Sequence, residues 1–282
     1  MPRLAQCASA AFMALALLSA AGQAKRLMPI PPSIPNRVAI AETIVLGKVE
    51  RIEGQSVEMS ESPDEKEKKE YFVAMVHIEE AIKDAEGLTD LKVAFPAMPA
   101  NSKDLPNGGD DYRLQLEIDQ EVCLFLKPHH SGKFLVGACY YPSFDKKDTN
   151  FEKNWKWTQR CANLLANPEK GLQAKESDER FLTAAMLILQ YRTRQFMPKA
   201  DAKEEPIPAK QSRLILQALA EANWEKPRED LGYEMRPESL FSRLNLTPKD
   251  GWNQAVTSDG AKKWLKENAE KYRIKRFLAE SN

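Results

Sequence analysis

The stretch Val38-Ala-Ile-Ala-Glu-Thr-Ile-Val-Leu-Gly-Lys-Val-Glu-Arg-Ile52 is rich in β-branched residues, which is typical of a β-strand. Gly47 lies in the middle of this run, where a glycine indicates a bulge or a bend. Tyr71–Ile78 alternates its apolar side chains between two faces, and Leu91–Phe95 is a shorter strand that ends before a proline. These runs predict a small antiparallel β-barrel or sandwich over residues 37–142.

The rest of this segment predicts three more strands. Tyr112–Ile118 alternates again, and Glu121–Lys127 and Phe134–Tyr141 are predicted to form the two arms of a hairpin. Long helices are missing between these runs in the sequence, which disfavours a parallel, doubly wound sheet.

The hydrophobic period changes from two to that of helices near residue 150. Ser177–Phe196 carries a wide apolar face and begins with Ser177 as the predicted N-cap, and further helices are predicted around Leu214–Ala222 and Gly260–Leu278. Thr247-Pro-Lys-Asp250 has the pattern of a capped helix start. We therefore predict an α+β protein whose residues 150–282 form an all-helical domain.

The N-terminal residues 1–24 have the pattern of a secretory signal peptide. Arg3 precedes the apolar stretch Ala8–Ala21, and Gly22-Gln-Ala24 supplies the small residues of a cleavage site. A membrane-spanning helix needs about 20 apolar residues, so we expect cleavage, no integral membrane segment afterwards, and a secreted or periplasmic protein. Residues 25–36 are rich in proline and predict a linker.

Three cysteines remain after removal of the predicted signal peptide, and an odd number leaves at least one thiol outside any intramolecular disulfide. A hairpin register centred on Ser131 would place Cys123 opposite Cys139, whereas a slip of one residue would separate them. Cys139 and Cys161 form the competing pair. Three reduced, buried cysteines are the third alternative, and all three stay open at this point.

The overall charge balance argues against a partner that is bound by bulk charge. The chain has 41 basic and 41 acidic side chains and a mean hydropathy of −0.52, which excludes a multi-spanning membrane protein. Residues 37–150 carry 14 basic and 22 acidic side chains, and residues 151–282 carry 24 and 19. Because acids interleave the bases of the last predicted helix, we expect a solvated face there and no nucleic-acid partner.

Few residues offer catalytic or metal chemistry. His129 and His130 are expected in an exposed turn at the hairpin tip, and His77 is expected to be a half-buried structural residue. No sequence motif for a catalytic nucleophile, a phosphate loop or a dinucleotide site is present, and we expect no cofactor and no metal. Trp155 and Trp157 are candidates for a surface that binds a partner, with packing inside the protein as the alternative.

These observations predict an exported, non-catalytic binding protein whose partner is a protein or a glycan. The alternative is a secreted hydrolase without a local signature, with its acids among Asp110, Asp111 and Asp119. A pocket with convergent carboxylates of raised pKa would favour the hydrolase.

The strand rhythm of the first half resembles that of secreted bacterial OB-like modules of the netrin/TIMP type. The resemblance rests on Ala41–Ile52, Phe72–Lys83 and Ile118–Leu126 and implies an OB-like barrel over residues 37–142. Metalloproteinase inhibitors of this type begin with a zinc-chelating cysteine, whereas Lys25 would begin this mature chain, so the resemblance implies the fold and not that activity. The helical half is similar to that of exported bacterial proteins without an assigned activity.

Overall fold

The computed structural model describes residues 30–97, 113–193 and 203–278, which form an α+β protein. The helices are α1 (Ile34–Ile40), α2 (Phe151–Ala166), α3 (Pro168–Leu172), α4 (Ser177–Arg192), α5 (Ala209–Glu221), α6 (Pro237–Arg243) and α7 (Ser258–Asn268). The strands are β1 (Thr43–Ile52), β2 (Val57–Met59), β3 (Lys69–Lys83), β4 (Asp90–Pro96), β5 (Glu121–Pro128), β6 (Leu135–Gly137), β7 (Ser143–Asp145), β8 (Glu204–Pro206) and β9 (Lys275–Phe277). The signal peptide prediction lies outside the described residues.

Five of the strands close into a barrel in the order β1-β3-β4-β6-β5, because β5 pairs with β1 again. The expected small barrel is therefore present. Its strands are antiparallel except for β4 and β6, which pair in parallel at Val93 and Leu135, so the barrel is mixed and the purely antiparallel prediction is wrong. The physical reason is that β5 and β6 form a hairpin, and closing the barrel leaves β6 beside β4 with both strands running the same way.

The local sequence explains the longest strands. β3 alternates between the barrel interior, where Val76 is buried, and the outer face, where His77 is exposed. Gly47 lies at a register shift between β1 and β3, as its position in the run predicts. β5 is apolar on both faces, because Leu124 points into the barrel core while Phe125 packs in the core of the helical half.

The helical half packs against the outside of the barrel through β1, β5 and α1. A chain of aromatic rings continues from Phe125 to Phe144, Phe151 and Trp155, with neighbouring centroids 5.6–6.2 Å apart. The most buried helix is α4, in which Leu182, Met186 and Leu189 are fully buried, as the wide apolar face of this segment predicts.

Two segment boundaries differ from the sequence predictions. α1 begins at Ile34, inside the predicted linker, and covers Val38–Ile40, which were predicted to be strand. Pro35 is compatible with helix because it occupies the first turn, where its missing N–H has no helical partner. α1 is stabilised from outside by burial of Val38 and Ala39 against the helical half.

The second half of the chain is not entirely helical. α7 ends at Asn268, and Lys275–Phe277 pairs with Glu204–Pro206 as a two-stranded sheet instead of continuing the helix. Arg192 stabilises this sheet because its guanidinium donates to Glu204 and to the backbone oxygen of Lys275. Residues 113–118 contain no strand, although Leu114 and Leu116 are buried. In the described ranges, no helix combines the length and the apolar character that crossing a membrane requires.

Candidate functional site

The two tryptophans predicted as a partner surface have different environments. Trp155 is buried, and its ring stacks on Phe151 in the core, which is the packing arrangement given above as the alternative to a partner surface. Trp157 is half-buried at the edge of that core. Helical residues two positions apart project about 200° apart around the axis, which is why α2 turns only one of the two indoles fully inward.

Trp157 lies beside two guanidinium groups. The guanidinium carbon of Arg160 is 5.5 Å from the ring centroid, and that of Arg228 is 5.8 Å from it. Both distances are within the range of cation–π attraction. Arg160 comes from the next turn of α2, whereas Arg228 comes from the loop after α5, so Trp157 joins two separate segments of the helical half.

Arg228 is held in place by two carboxylates. It donates to Asp230 in a two-pronged pair with distances of 3.0 and 2.6 Å, and one of its nitrogens lies 3.8 Å from Asp178 at the start of α4. The hydrogen bond from Arg228 lowers the pKa of Asp230, and the same bond raises the pKa of Arg228. Both groups therefore stay charged over the physiological pH range.

A polar cleft of about 470 Å³ opens beside Arg228. Its walls are the start of α4, the end of α5, the loop that carries Arg228, and Lys262 of α7. Three acids and three bases line it: Asp178, Glu221, Glu225, Lys226, Arg228 and Lys262. Glu221 is bound by Arg180, but in the part of the chain that the structure describes, Glu225, Lys226 and Lys262 have no ion-pair partner. The cleft therefore presents unpaired charges of both signs.

The barrel contributes a second polar cluster, between the loop that follows β2 and the β5–β6 hairpin. The rings of His129 and His130 are tilted by 40° with their centroids 4.0 Å apart, and the Nε2 atoms of both lie 2.9–3.0 Å from the backbone oxygen of Ser60. The Nδ1 atom of His129 contacts Ser131 on the other side, at 2.9 Å from its hydroxyl oxygen. We call Ser60, His129 and His130 the histidine clasp.

The expectation of an exposed histidine turn is wrong. His129 is buried and His130 is half-buried, because the charged loop that follows β2 folds over the hairpin tip and offers the Ser60 carbonyl to both rings. Burial lowers the pKa of His129, with a smaller contribution in the same direction from His130. His77 also differs from the prediction, since it is exposed and its Nδ1 atom lies 3.2 Å from Asp90.

The cysteines are free thiols in the structure: Cys123, Cys139 and Cys161. Of the two hairpin registers considered above, the structure has the slipped one, because Leu126 pairs with Gly137 and the hairpin is centred between Ser131 and Gly132. Cys123 instead lies between Leu46 on β1 and Phe144 on β7.

Burial accounts for the chemistry of these thiols. It raises the pKa of Cys139 to about 11 and that of Cys161 to about 12, and it raises the pKa of Cys123 as well. All three thiols are therefore protonated and weakly nucleophilic at neutral pH.

Of the three acids predicted for a hydrolase, the described residues include Asp119. Asp119 is exposed and pairs with Lys48 at 2.8 Å, and this contact lowers its pKa. Asp110 and Asp111 lie outside the described residues. Arg228 contacts Trp157 and lines the cleft, but sequence reasoning did not identify it. No pattern in the sequence predicts its contact with α2, because the two segments meet only in the folded chain.

Comparison of the chain with family models, with curated proteins and with solved structures finds no match.

Proposed function

We propose that this chain is an exported, non-catalytic binding protein of the cell envelope or the extracellular space. The proposal of export rests on the signal pattern of residues 1–24. The proposal of binding rests on one observation, the cleft of about 470 Å³ in which lysine and glutamate side chains without ion-pair partners surround the anchored Arg228.

The chemistry around Trp157 favours a protein partner over a glycan. A sugar ring stacks on an aromatic face that is open, whereas two guanidinium groups already lie over Trp157. Tryptophan and arginine are enriched among the residues that dominate protein interfaces. The partner we propose is a protein segment that carries both acidic and basic side chains, because the cleft offers both charges.

The carboxyl groups favour binding over hydrolysis. A general acid at neutral pH needs a raised pKa. Where the described carboxyl groups have shifted pKa values, the shift is downward, as in Asp230 beside Arg228 and Asp119 beside Lys48. These groups are suited to forming ion pairs.

We also propose that the barrel is OB-like. The support is its five strands and their order, in which the third barrel strand, β4, pairs in parallel with the last, β6. In OB folds the loops after the first and fourth barrel strands carry ligand contacts. The same two loops meet here through the histidine clasp, so the barrel end is a second surface for the partner.

Reversal of two lysine charges in the cleft tests the proposed site. Lys226→Glu combined with Lys262→Glu removes the unpaired positive charges without breaking an ion pair among the described residues. Lys263→Glu combined with Lys266→Glu is the matched control, because it makes the same change in net charge on α7 outside the cleft.

Each variant is expressed in the exporting cell and cross-linked in place, and captured proteins are quantified by mass spectrometry. We expect one protein to be captured by the wild type and the control and to be lost with the cleft variant. Equal capture by both double variants would contradict the proposed site. Turnover of a substrate by the purified wild type would contradict a non-catalytic role.

A further inference from the structure

Three side chains that bind transition metals converge on the outer face of the barrel. Glu50 of β1, His77 of β3 and Asp90 of β4 each offer one ligand atom, and these atoms all lie within 4.8 Å of one another. All three residues are exposed, so an ion reaches them without any rearrangement of the core. This cluster lies in the barrel, whereas the proposed partner cleft lies in the helical half.

The sheet register fixes the cluster. His77 lies directly across from Asp90 in the β3–β4 ladder, so their side chains share one face at neighbouring positions. The pairing of β1 with β3 shifts between Val49 and Arg51, which leaves Glu50 as the extra residue of a bulge. Bulges redirect side chains, and this one places the Glu50 carboxylate beside the other two ligands.

The ligand atoms of His77 and Asp90 already have the spacing of a metal site. Nδ1 of His77 and Oδ1 of Asp90 are 3.2 Å apart. Two ligands on a tetrahedral Zn²⁺ with bonds of about 2.0 Å lie roughly 3.3 Å apart. The hydroxyl of Thr89 donates to the other oxygen, Oδ2 of Asp90, at 2.8 Å, which orients the carboxylate and leaves Oδ1 facing the imidazole.

The surrounding charges favour a cation. Glu50 and Asp90 supply two carboxylates to the cluster. Two bases are close to the cluster, Lys48 and Arg51, but Lys48 is bound to Asp119 at 2.8 Å. The segment 37–150 as a whole carries 22 acidic and 14 basic side chains.

We propose that Glu50, His77 and Asp90 bind one Zn²⁺ ion, with water in the fourth position. One imidazole and two carboxylates suit zinc, whereas Mg²⁺ and Ca²⁺ prefer ligand sets made of oxygen alone. The two carboxylates balance the charge of the ion. The site is independent of the partner cleft and would exist whether or not that proposal holds.

Titration with Co²⁺ followed by displacement with Zn²⁺ tests the site. The full secreted chain is purified without a histidine tag, freed of metal by chelation, and followed by visible absorption and calorimetry. We expect one equivalent of Co²⁺ to bind with the absorption of a four-coordinate N/O site, and Zn²⁺ to displace it. A thiolate-to-cobalt band would assign the ion to a cysteine and overturn the proposal.

Four variants locate the ion. His77→Gln and Asp90→Asn should each weaken binding by about tenfold or more, and Thr89→Val, which removes the orienting hydroxyl, by about tenfold. His130→Gln is the control, because it removes a histidine of the clasp and should leave the affinity unchanged. Each altered ligand is exposed, so circular dichroism should be that of the wild type. Undiminished binding by His77→Gln, or no stoichiometric binding by the wild type, would overturn the proposal.

Discussion

Replacement of Gly47 by alanine tests how tightly β1 and β3 are packed in the barrel. A Cβ atom at this position would lie 2.5 Å from the backbone oxygen of His77 and 2.8 Å from Cγ1 of Val76. Both distances are shorter than any ordinary contact, and the first involves backbone that cannot move without opening the β1–β3 ladder. The barrel must therefore distort to accept a single methyl group.

The magnitude follows from two opposing effects. Overpacking of a filled site costs about 1–3 kcal/mol, and contact with the backbone of a paired strand belongs in the upper part of that range. Replacing glycine with alanine also restricts the unfolded chain, which stabilises the folded protein by about 0.4–1 kcal/mol. We expect Gly47→Ala to lower the free energy of unfolding by about 2 kcal/mol, or the melting temperature by about 4–8 °C.

Gly54→Ala is the matched control, because a Cβ atom there meets nothing within 4 Å. It keeps the entropic effect without the clash and should be as stable as the wild type or slightly more stable. Urea denaturation followed by tryptophan fluorescence and circular dichroism measures both variants on the same scale. If Gly47→Ala unfolds at the same urea concentration as Gly54→Ala, the close approach of β1 to β3 described here is wrong.

Three further predictions concern buried polar groups. Burial lowers the pKa of His129 in the folded protein, so between that pKa and about pH 6.5 the unfolded chain binds more protons than the folded chain. The free energy of unfolding should therefore fall as the pH drops through this range, and His129→Gln should flatten the dependence in urea titrations. Arg192→Ala should cost about 3 kcal/mol by thermal unfolding, because it removes the hydrogen bonds to Glu204 and to two backbone oxygens and leaves Glu204 with the longer ion pair to Lys275. Arg213→Ala, at an exposed ion pair, should cost less than about 0.5 kcal/mol. In the mature chain, which lacks residues 1–24 and therefore Cys7, a thiol reagent should react slowly with the native protein and count three thiols after denaturation without reductant. A count of one would contradict the free state of these residues: Cys123, Cys139 and Cys161.

The barrel strands could be predicted because their pattern is local. β3, β4 and β5 alternate or are continuously apolar over their own lengths, and Gly47 marks the bulge within β1. α1 could not be assigned in this way. Val38-Ala-Ile is a short apolar run that fits a buried strand or a buried helix equally well, and only packing against the helical half decides between them.

The candidate site depends on contacts between distant parts of the chain. Trp157 and Arg160 share a helix, so their proximity follows from a spacing of three residues. The contact with Arg228 depends on how the loop after α5 returns to α2, and no periodicity contains that information. The histidine clasp has the same origin, because the Ser60 carbonyl that binds both rings belongs to a loop 69 residues before His129.

The composition of β5 shows why the two halves of the chain depend on each other. A strand on a barrel whose outer face meets water would alternate apolar and polar residues, but Val122 to Leu126 are all fully buried. Val122, Leu124 and Leu126 fill the barrel, while Cys123 and Phe125 join the core of the helices. α1 is placed at the same junction, where Lys83 from the barrel donates to the backbone oxygens of Val38 and Ala41. Because one strand contributes to both cores, the outer face of the barrel at β5 needs the helices to cover it. The change in hydrophobic period near residue 150 therefore marks a change in secondary structure within a continuously packed protein.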